Sequence, residues 1–81
     1  MRTESIAPTK NEHQKILIRR LGANIRRERV AAGMTQERLA ELSDLNLRTV
    51  QKIEAGNISI LITTVLRIRK AIQCPWNRIL P

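Results

Sequence analysis

The spacing of apolar residues constrains the fold of this chain more than any other feature of its sequence. From about residue 12 to 32, and again from about 59 to 73, apolar side chains recur at steps of three and four, the period of one helix face. No segment alternates apolar and polar residues as a half-buried strand would. The pattern predicts an all-α fold of five helices without repeats. The inward stripe expected in segment 59–73 consists of Ile62, Val65, Ile68 and Ile72.

Capping residues set the expected helix boundaries. Gly33 suits the position that ends the first helix, and Thr35 and Asn46 are suited to cap the N-termini of a second and a third helix. The third helix should run to about Ala55, where Gly56 stops it. Two short helices joined by a tight turn are therefore expected from Thr35 to Ala55.

The two ends of the chain differ in pattern. Residues 1–11 are polar and unpatterned, so we expect a flexible arm, either a frayed terminus or a segment that reaches into a minor groove. Residues 12–81 form the domain. Within it, Ser59 is expected to cap a fourth helix that runs to about Gln73, and Pro75 opens a short final turn.

Length and charge limit the classes of function. The 81 residues suffice for one domain with a marginal core, which dimerisation would stabilise. A formal net charge of +8 attracts nucleic acid or an anionic membrane surface, although a basic face that meets only solvent is the alternative. Trp76 is the only aromatic residue, which argues against single-strand and RNA binders that stack bases on aromatic side chains.

Several other classes of protein need residues that this sequence lacks. The one cysteine, Cys74, permits neither an internal disulfide nor a cysteine cluster for a metal, and it fits a buried thiol in a reduced compartment. No apolar run is long enough to span a bilayer, and no signal peptide is evident. His13 has no nucleophile or ligand set near it, and there is no glycine-rich phosphate loop. We expect a cytoplasmic protein that is not an enzyme and carries no cofactor or metal.

The segment from Thr35 to Ala55 has the design of a helix-turn-helix, whose second helix enters the major groove of DNA. That groove is about 12 Å wide and admits one α-helix, whose exposed side chains meet the base edges. Arg48 has a planar fork that suits guanine, Gln51 can pair with adenine, and Leu47 offers apolar surface to a thymine methyl group. The alternative for Arg48 and for Lys52 is a contact with phosphate alone, which positions the protein without reading sequence.

Six parts of the sequence are distinctive when taken together. They are LGANIR (21–26), Arg29, GMTQE (33–37), LA (39–40), TVQKIEAG (49–56) and IRKAI (68–72). No one of them is specific alone. In combination they resemble the phage-repressor and Cro-like helix-turn-helix domains, the xenobiotic-response-element (XRE) family, over about residues 21–80. The resemblance implies a five-helix repressor-like domain that binds double-stranded DNA.

The resemblance also implies roles for single residues. Gln36 is expected to contact a phosphate and to brace the recognition helix, which is the third helix and the one that enters the groove. Thr49 is expected to meet the DNA backbone or a base edge, and Asn57 to lie in a loop whose backbone amides approach phosphate. Arg29 and Glu54 are expected to form a salt bridge between the first and third helices, with a contact of Arg29 to phosphate as the alternative. With the N-cap residue, the candidate DNA-binding set is Gln36, Asn46, Leu47, Arg48, Thr49, Gln51, Lys52 and Asn57.

Some positions depart from the family's pattern. Asp44 stands where a turn glycine is usual, and an aspartate tolerates the left-handed conformation at some cost. Ile60 and Leu61 replace the usual Pro-Ser start of the fourth helix, so the start of that helix stays open. Arg69 replaces a small inward alanine, and we expect it either to extend outward or to pair at an interface.

Six apolar residues near the last two helices exceed what so small a core should need. They are Ile58, Ile60, Leu61, Trp76, Ile79 and Leu80. Because an exposed apolar patch usually marks an interface, we predict a homodimer through this surface, with two recognition helices one turn of DNA apart, about 34–36 Å. The alternative is that these residues, Trp76 above all, close the core over the first helix.

Two classes of function fit this sequence. The first is a transcriptional regulator, a repressor of the Cro type, that binds an inverted-repeat operator as a homodimer. The second is an antitoxin that binds a toxin partner and regulates its own gene through the same helix-turn-helix. The chain also resembles controller proteins of restriction-modification systems in size. Membrane binding by a basic surface helix is a third class of function, and the helix-turn-helix residues disfavour it.

Overall fold

The computed structural model describes residues 10–81, which form five α-helices and contain no strand. The helices are α1 (Lys10–Ala31), α2 (Gln36–Leu42), α3 (Leu47–Glu54), α4 (Ile62–Ile72) and α5 (Trp76–Ile79). The predicted all-α, five-helix class is confirmed. Helix α1 begins at Lys10, two residues before the predicted start of the domain at residue 12, and the rest of the predicted arm, residues 1–9, lies outside the described residues.

The helices enclose one apolar core. Helix α1 packs against α3 and α5, and α2 packs against α3 and α4. Each helix contributes at least one side chain to the core, so the short helices are held by tertiary burial rather than by their own propensity. The buried apolar residues are Ile25, Leu39, Ala40, Val50, Ile53, Val65, Ile68, Ile72, Cys74 and Ile79.

The predicted N-caps of α2 and α3 are confirmed. The Thr35 hydroxyl oxygen accepts a hydrogen bond from the Arg38 backbone N–H at 3.0 Å. The Asn46 side-chain oxygen accepts one from the Thr49 backbone N–H at 2.8 Å. Asp44 adopts the left-handed conformation with φ 56°, as its place in the turn predicted. Asp44 and the Asn46 cap together shape the turn between α2 and α3.

The predicted start of α4 is wrong. Ser59 caps no helix: α4 begins at Ile62, and its N-cap Leu61 makes no side-chain capping hydrogen bond. Ile62 is 64% exposed instead of facing inward, because it occupies the first turn, ahead of the point where α4 meets the core at Val65. Two large apolar side chains at this uncapped start, Leu61 and Ile62, are therefore exposed to solvent.

The last turn closes the core, which corrects the prediction for Ile79. Its side chain is 0% exposed, so it cannot contact a second copy. The Asn24 side-chain amide donates to the Ile79 carbonyl at 2.8 Å and holds α5 against α1.

Arg69 also differs from expectation: its guanidinium lies 5.0 Å from the centre of the Trp76 ring, and its Nη1 donates to the Cys74 carbonyl at 3.3 Å. Arg69 therefore packs inside the monomer.

Candidate nucleic-acid interface

Helix α3 has one apolar face and one polar face. Val50 and Ile53 are buried against the core. Arg48, Gln51 and Lys52 are exposed, and their spacing of three and four places them on one side of the helix. None of these three side chains donates a hydrogen bond within residues 10–81, so their donors face outward without internal partners. A helix with this arrangement can present several hydrogen-bonding groups to a row of base edges.

The first turn of α3 is shaped by its cap. The Asn46 side-chain oxygen accepts hydrogen bonds from both the backbone N–H and the hydroxyl of Thr49, each at 2.8 Å. Leu47, the first helical residue, is half-buried. The Asn46 side-chain oxygen and the Thr49 hydroxyl hydrogen are thus engaged in the cap, and what remains of Asn46 for a ligand is its amide N–H₂ group.

A cleft of about 340 Å³ separates the start of α2 from α3. It contains the predicted residues Gln36, Leu47 and Gln51 together. Sequence reasoning missed Thr35 and Glu37 as members of this cleft; their position beside Gln36 in the first turn of α2 was the available signal.

A buried ionic network ties α1 to the recognition helix. Arg29 donates to Glu54 twice, from Nε to Oε2 at 2.7 Å and from Nη2 to Oε1 at 3.0 Å. Arg29 Nη1 donates to the Met34 carbonyl at 2.7 Å, and Gln36 Nε2 donates to Glu54 Oε1 at 3.1 Å. The two charged side chains are 10% and 2% exposed. The expected pair therefore forms, and its bidentate geometry leaves Arg29 poorly placed for the alternative contact with phosphate.

The family model described as Helix-turn-helix matches residues 25–79. The chain belongs to this helix-turn-helix family. As the sequence resemblance implied, it is of the XRE type. The chain is therefore a DNA-binding transcriptional regulator, and its ligand is double-stranded DNA.

A solved structure gives a second comparison. The restriction-modification controller protein C.AhdI from Aeromonas hydrophila is 27% identical, with a TM-score of 0.74. The match covers 78% of this chain and 96% of that one. No curated protein matches the chain in sequence. Part of this chain thus lies outside the shared fold, and the family match begins only at residue 25.

Gln36 can both brace the helix-turn-helix and bind a ligand. A side-chain amide carries two N–H donors, and Glu54 accepts one of them. Because Gln36 is only half-buried, its second N–H donor stays available to a phosphate. The two roles that the resemblance implied for Gln36 are therefore compatible.

Asn57 differs from its expected mode of contact. Its backbone N–H donates to the Lys52 carbonyl at 3.0 Å, in a turn that Gly56 enters with φ 73°. This hydrogen bond closes the C-terminus of α3 and satisfies the backbone donor that the resemblance assigned to phosphate. Any contact of Asn57 with DNA must then come from its exposed side chain.

The residues predicted to form a dimer surface differ in exposure. Leu61 is 73% exposed and Leu80 is 46% exposed. Ile58, Ile60 and Trp76 are half-buried and pack against the core, in line with the alternative that they help to close it. Ile62, which was not among the predicted set, adds exposed apolar surface next to Leu61. The exposed part of this surface thus consists of two consecutive side chains at the start of α4, Leu61 and Ile62, together with Leu80.

Glu28 is a buried carboxylate that sequence reasoning did not single out. It accepts a hydrogen bond from Arg27 Nε at 3.0 Å and lies 3.2 Å from Arg78 Nη2. The hydrogen bonds from Arg27 and then Arg78 hold the pKa of Glu28 below its ordinary value. The Cys74 thiol is buried, and burial is the main cause that raises its pKa. Glu28 therefore joins α1 to α5, and Cys74 is a poor nucleophile.

Residues 10–81 contain no group of three or more His, Cys, Asp or Glu side chains that could hold a metal ion. Among the same residues, no helix is both long enough and apolar enough to cross a membrane.

Proposed function

We propose that this regulator reads an inverted-repeat operator as a homodimer, with α3 of each protomer in the major groove of one half-site. The observation that carries the proposal is the exposed row of Arg48, Gln51 and Lys52 on one side of α3. Arg48 is assigned to guanine and Gln51 to adenine, whereas Lys52 suits a phosphate or a base edge. Gln36, at the start of α2, anchors the backbone.

The case for a dimer starts from exposed apolar surface. Leu61 and Ile62 are 73% and 64% exposed, and they follow each other at the uncapped start of α4. Burying a side chain of this size stabilises an interface by about 1.5–3 kcal/mol. A second copy related by two-fold symmetry would bury the same residues twice and would match a palindromic operator.

The likeness to a restriction-modification controller protein supports a proposal for the genetic system in which this regulator acts. That protein shares 27% identity with this chain, and the match covers 96% of it. A role as the controller of such a system, acting on the promoter of its own gene, is therefore our specific proposal. The antitoxin alternative would require a stable complex with a toxin, and a copurified small enzyme from the neighbouring gene would favour it.

The test of base reading is a footprint on DNA upstream of the protein's own gene, followed by binding to single-base variants of the protected site. Arg48→Ala should lose about 1–3 kcal/mol of discrimination at one base pair of each half-site. Gln36→Ala should weaken binding to all sequences alike, because a phosphate contact carries no sequence information. If Arg48→Ala keeps the parent's full base preference, the assigned reading face is wrong.

The test of the dimer is the mass in solution by size exclusion with light scattering. The parent should be a dimer at tens of micromolar, and Leu61→Glu/Ile62→Glu should be a monomer with weakened operator binding. Leu42→Glu is the matched control, because Leu42 is also exposed, at 45%, but lies on α2. A monomeric parent, or a dimer that tolerates the α4 change, would remove this surface from the proposal.

A further inference from the structure

A basic cleft lies between the N-terminal half of α1 and the loop that follows the recognition helix. Its volume is about 380 Å³, and it is lined by Lys15, Ile18 and Arg19 from α1 and by residues 55–59 from the loop. Lys15 and Arg19 are one helical turn apart, so both side chains lie on the same face of α1. Both are exposed. Neither forms an ion pair with a carboxylate within the described part of the chain.

The loop is packed tightly against α1 at this cleft. A Cβ atom built on Gly56 would lie 2.6 Å from Arg19 Cγ and 2.9 Å from Arg19 Cα. The closing hydrogen bond from the Asn57 N–H to the Lys52 carbonyl holds the same loop to α3. The loop wall of the cleft is therefore held against both α1 and α3, beside the end of the recognition helix.

The groups in the cleft are those that bind phosphate. Lys15 and Arg19 supply an ammonium and a guanidinium, and the exposed side chain of Asn57 supplies an amide on the opposite wall. Residues 55–59 contain no carboxylate, and residues 10–20 contain four Lys or Arg against one acidic residue, Glu12. The local field thus attracts an anion.

We propose that Lys15 and Arg19 hold one phosphate of the DNA backbone per protomer, next to the base pairs that α3 reads. The contact surface for DNA then extends onto α1, beyond the region 25–79 that matches the family model. This inference rests on the proposed function, because the ligand is duplex DNA, but it does not depend on any base preference.

A purely structural role predicts something different. The cleft adjoins the C-terminal end of α3, where cations stabilise the carbonyl end of a helix dipole. In that case, loss of Lys15 and Arg19 would lower the melting temperature and leave the salt dependence of DNA binding unchanged. Salt dependence is therefore the deciding measurement.

The experiment compares binding of the full chain to a random-sequence 24-base-pair duplex, by fluorescence anisotropy between 50 and 200 mM salt. Lys15→Gln/Arg19→Gln removes both charges and keeps aliphatic stems against Gly56. The matched control is Arg67→Gln/Lys70→Gln, which removes the same charge from exposed positions around a different cleft. Lys15→Arg/Arg19→Lys keeps both charges and should bind as the parent does.

Each phosphate contact contributes about 0.9 to the slope of log K against log salt. The α1 double variant should therefore reduce the slope by about 0.9 per bound protomer, with an unchanged melting temperature within a few degrees, while the α4 control leaves the slope unchanged. Phosphate-ethylation interference on the operator should lose one sensitive phosphate per half-site in the α1 variant. An α1 variant with the parent's slope, or an α4 control with an equal loss, overturns the inference.

Failure of the proposed function has a different signature. A parent that binds the operator no better than the random duplex refutes operator reading, and a reduced slope for the α1 variant would still support the phosphate site. A parent that binds no duplex at all overturns both.

Discussion

Removal of the Glu54 carboxylate tests the network that joins α1, α2 and the recognition helix. Glu54→Ala deletes two hydrogen bonds from Arg29, at 2.7 and 3.0 Å, and one from Gln36, at 3.1 Å. The remaining guanidinium is only 10% exposed, so it would stay buried without a counter-charge. Breaking such a pair from one side costs about 3–5 kcal/mol.

That loss is large for a domain of this size. At about 0.05–0.15 kcal/mol per residue, 81 residues give a total stability of about 4–12 kcal/mol. A loss of 3 kcal/mol corresponds to a fall in melting temperature of at least about 12 °C for a domain below 100 residues. Glu54→Ala should therefore unfold well below the parent, as measured by circular dichroism during heating and in urea.

Two controls separate the network from simple charge removal. Arg29→Met/Glu54→Leu removes both charges, so it should recover most of the stability that the single change loses. Glu41→Ala breaks the exposed pair that Arg38 forms with Glu41, and its cost should be below about 1 kcal/mol. The reasoning is refuted if Glu54→Ala costs no more than Glu41→Ala, or if the double change is as unstable as the single one.

Two further substitutions and one thiol-labelling experiment test other parts of the fold. Gly22→Ala should destabilise the protein by about 1–3 kcal/mol, because its Cβ would lie 2.2 Å from the Ile53 backbone oxygen; equilibrium unfolding in urea measures this cost, and an unchanged midpoint contradicts it. Because the folded pKa of Glu28 is lowered, its carboxylate contributes stability above its unfolded pKa, and that contribution disappears as pH falls through the folded value. Thermal melts from pH 7 to pH 3 should therefore show a smaller decrease for Glu28→Gln than for the parent. Because burial raises the pKa of Cys74, a thiol reagent at pH 8 should react far more slowly with native protein than with protein unfolded in urea.

Local signals predicted the central part of the fold well. The caps Thr35 and Asn46 are set by side chains that hydrogen-bond three residues ahead, so nothing distant in the chain has to be known to place them. The left-handed conformation of Asp44 was expected from the family resemblance, because glycine is usual at this position of the turn. The pairing of Arg29 with Glu54 came from the family resemblance, since periodicity alone gives no register between two helices.

The sequence pattern could not predict how side chains from different helices pack against each other. Ile79 has the spacing of a core residue and of an interface residue alike, and only the fold-back of α5 against Asn24 decides between them. Arg69 stacks on Trp76 because Trp76 follows the turn that ends α4, a relation that no helical period encodes. Ser59 looked like a cap in sequence, but no helix begins until Ile62.

Helix α1 contacts α3 and the loop that follows it at three levels along the length of α1. Near the start of the contact, Arg19 packs on Gly56; in the middle, the absence of a side chain at Gly22 lets the backbone approach the Ile53 and Glu54 carbonyls; near the end, Arg29 pairs with Glu54. On the opposite side all three contacts fall within residues 53–56, so they hold the C-terminal end of the recognition helix against α1. A phosphate held by the N-terminal half of α1 would therefore constrain the position of this end of α3 in the groove, so backbone binding and base reading should be energetically coupled in this protein.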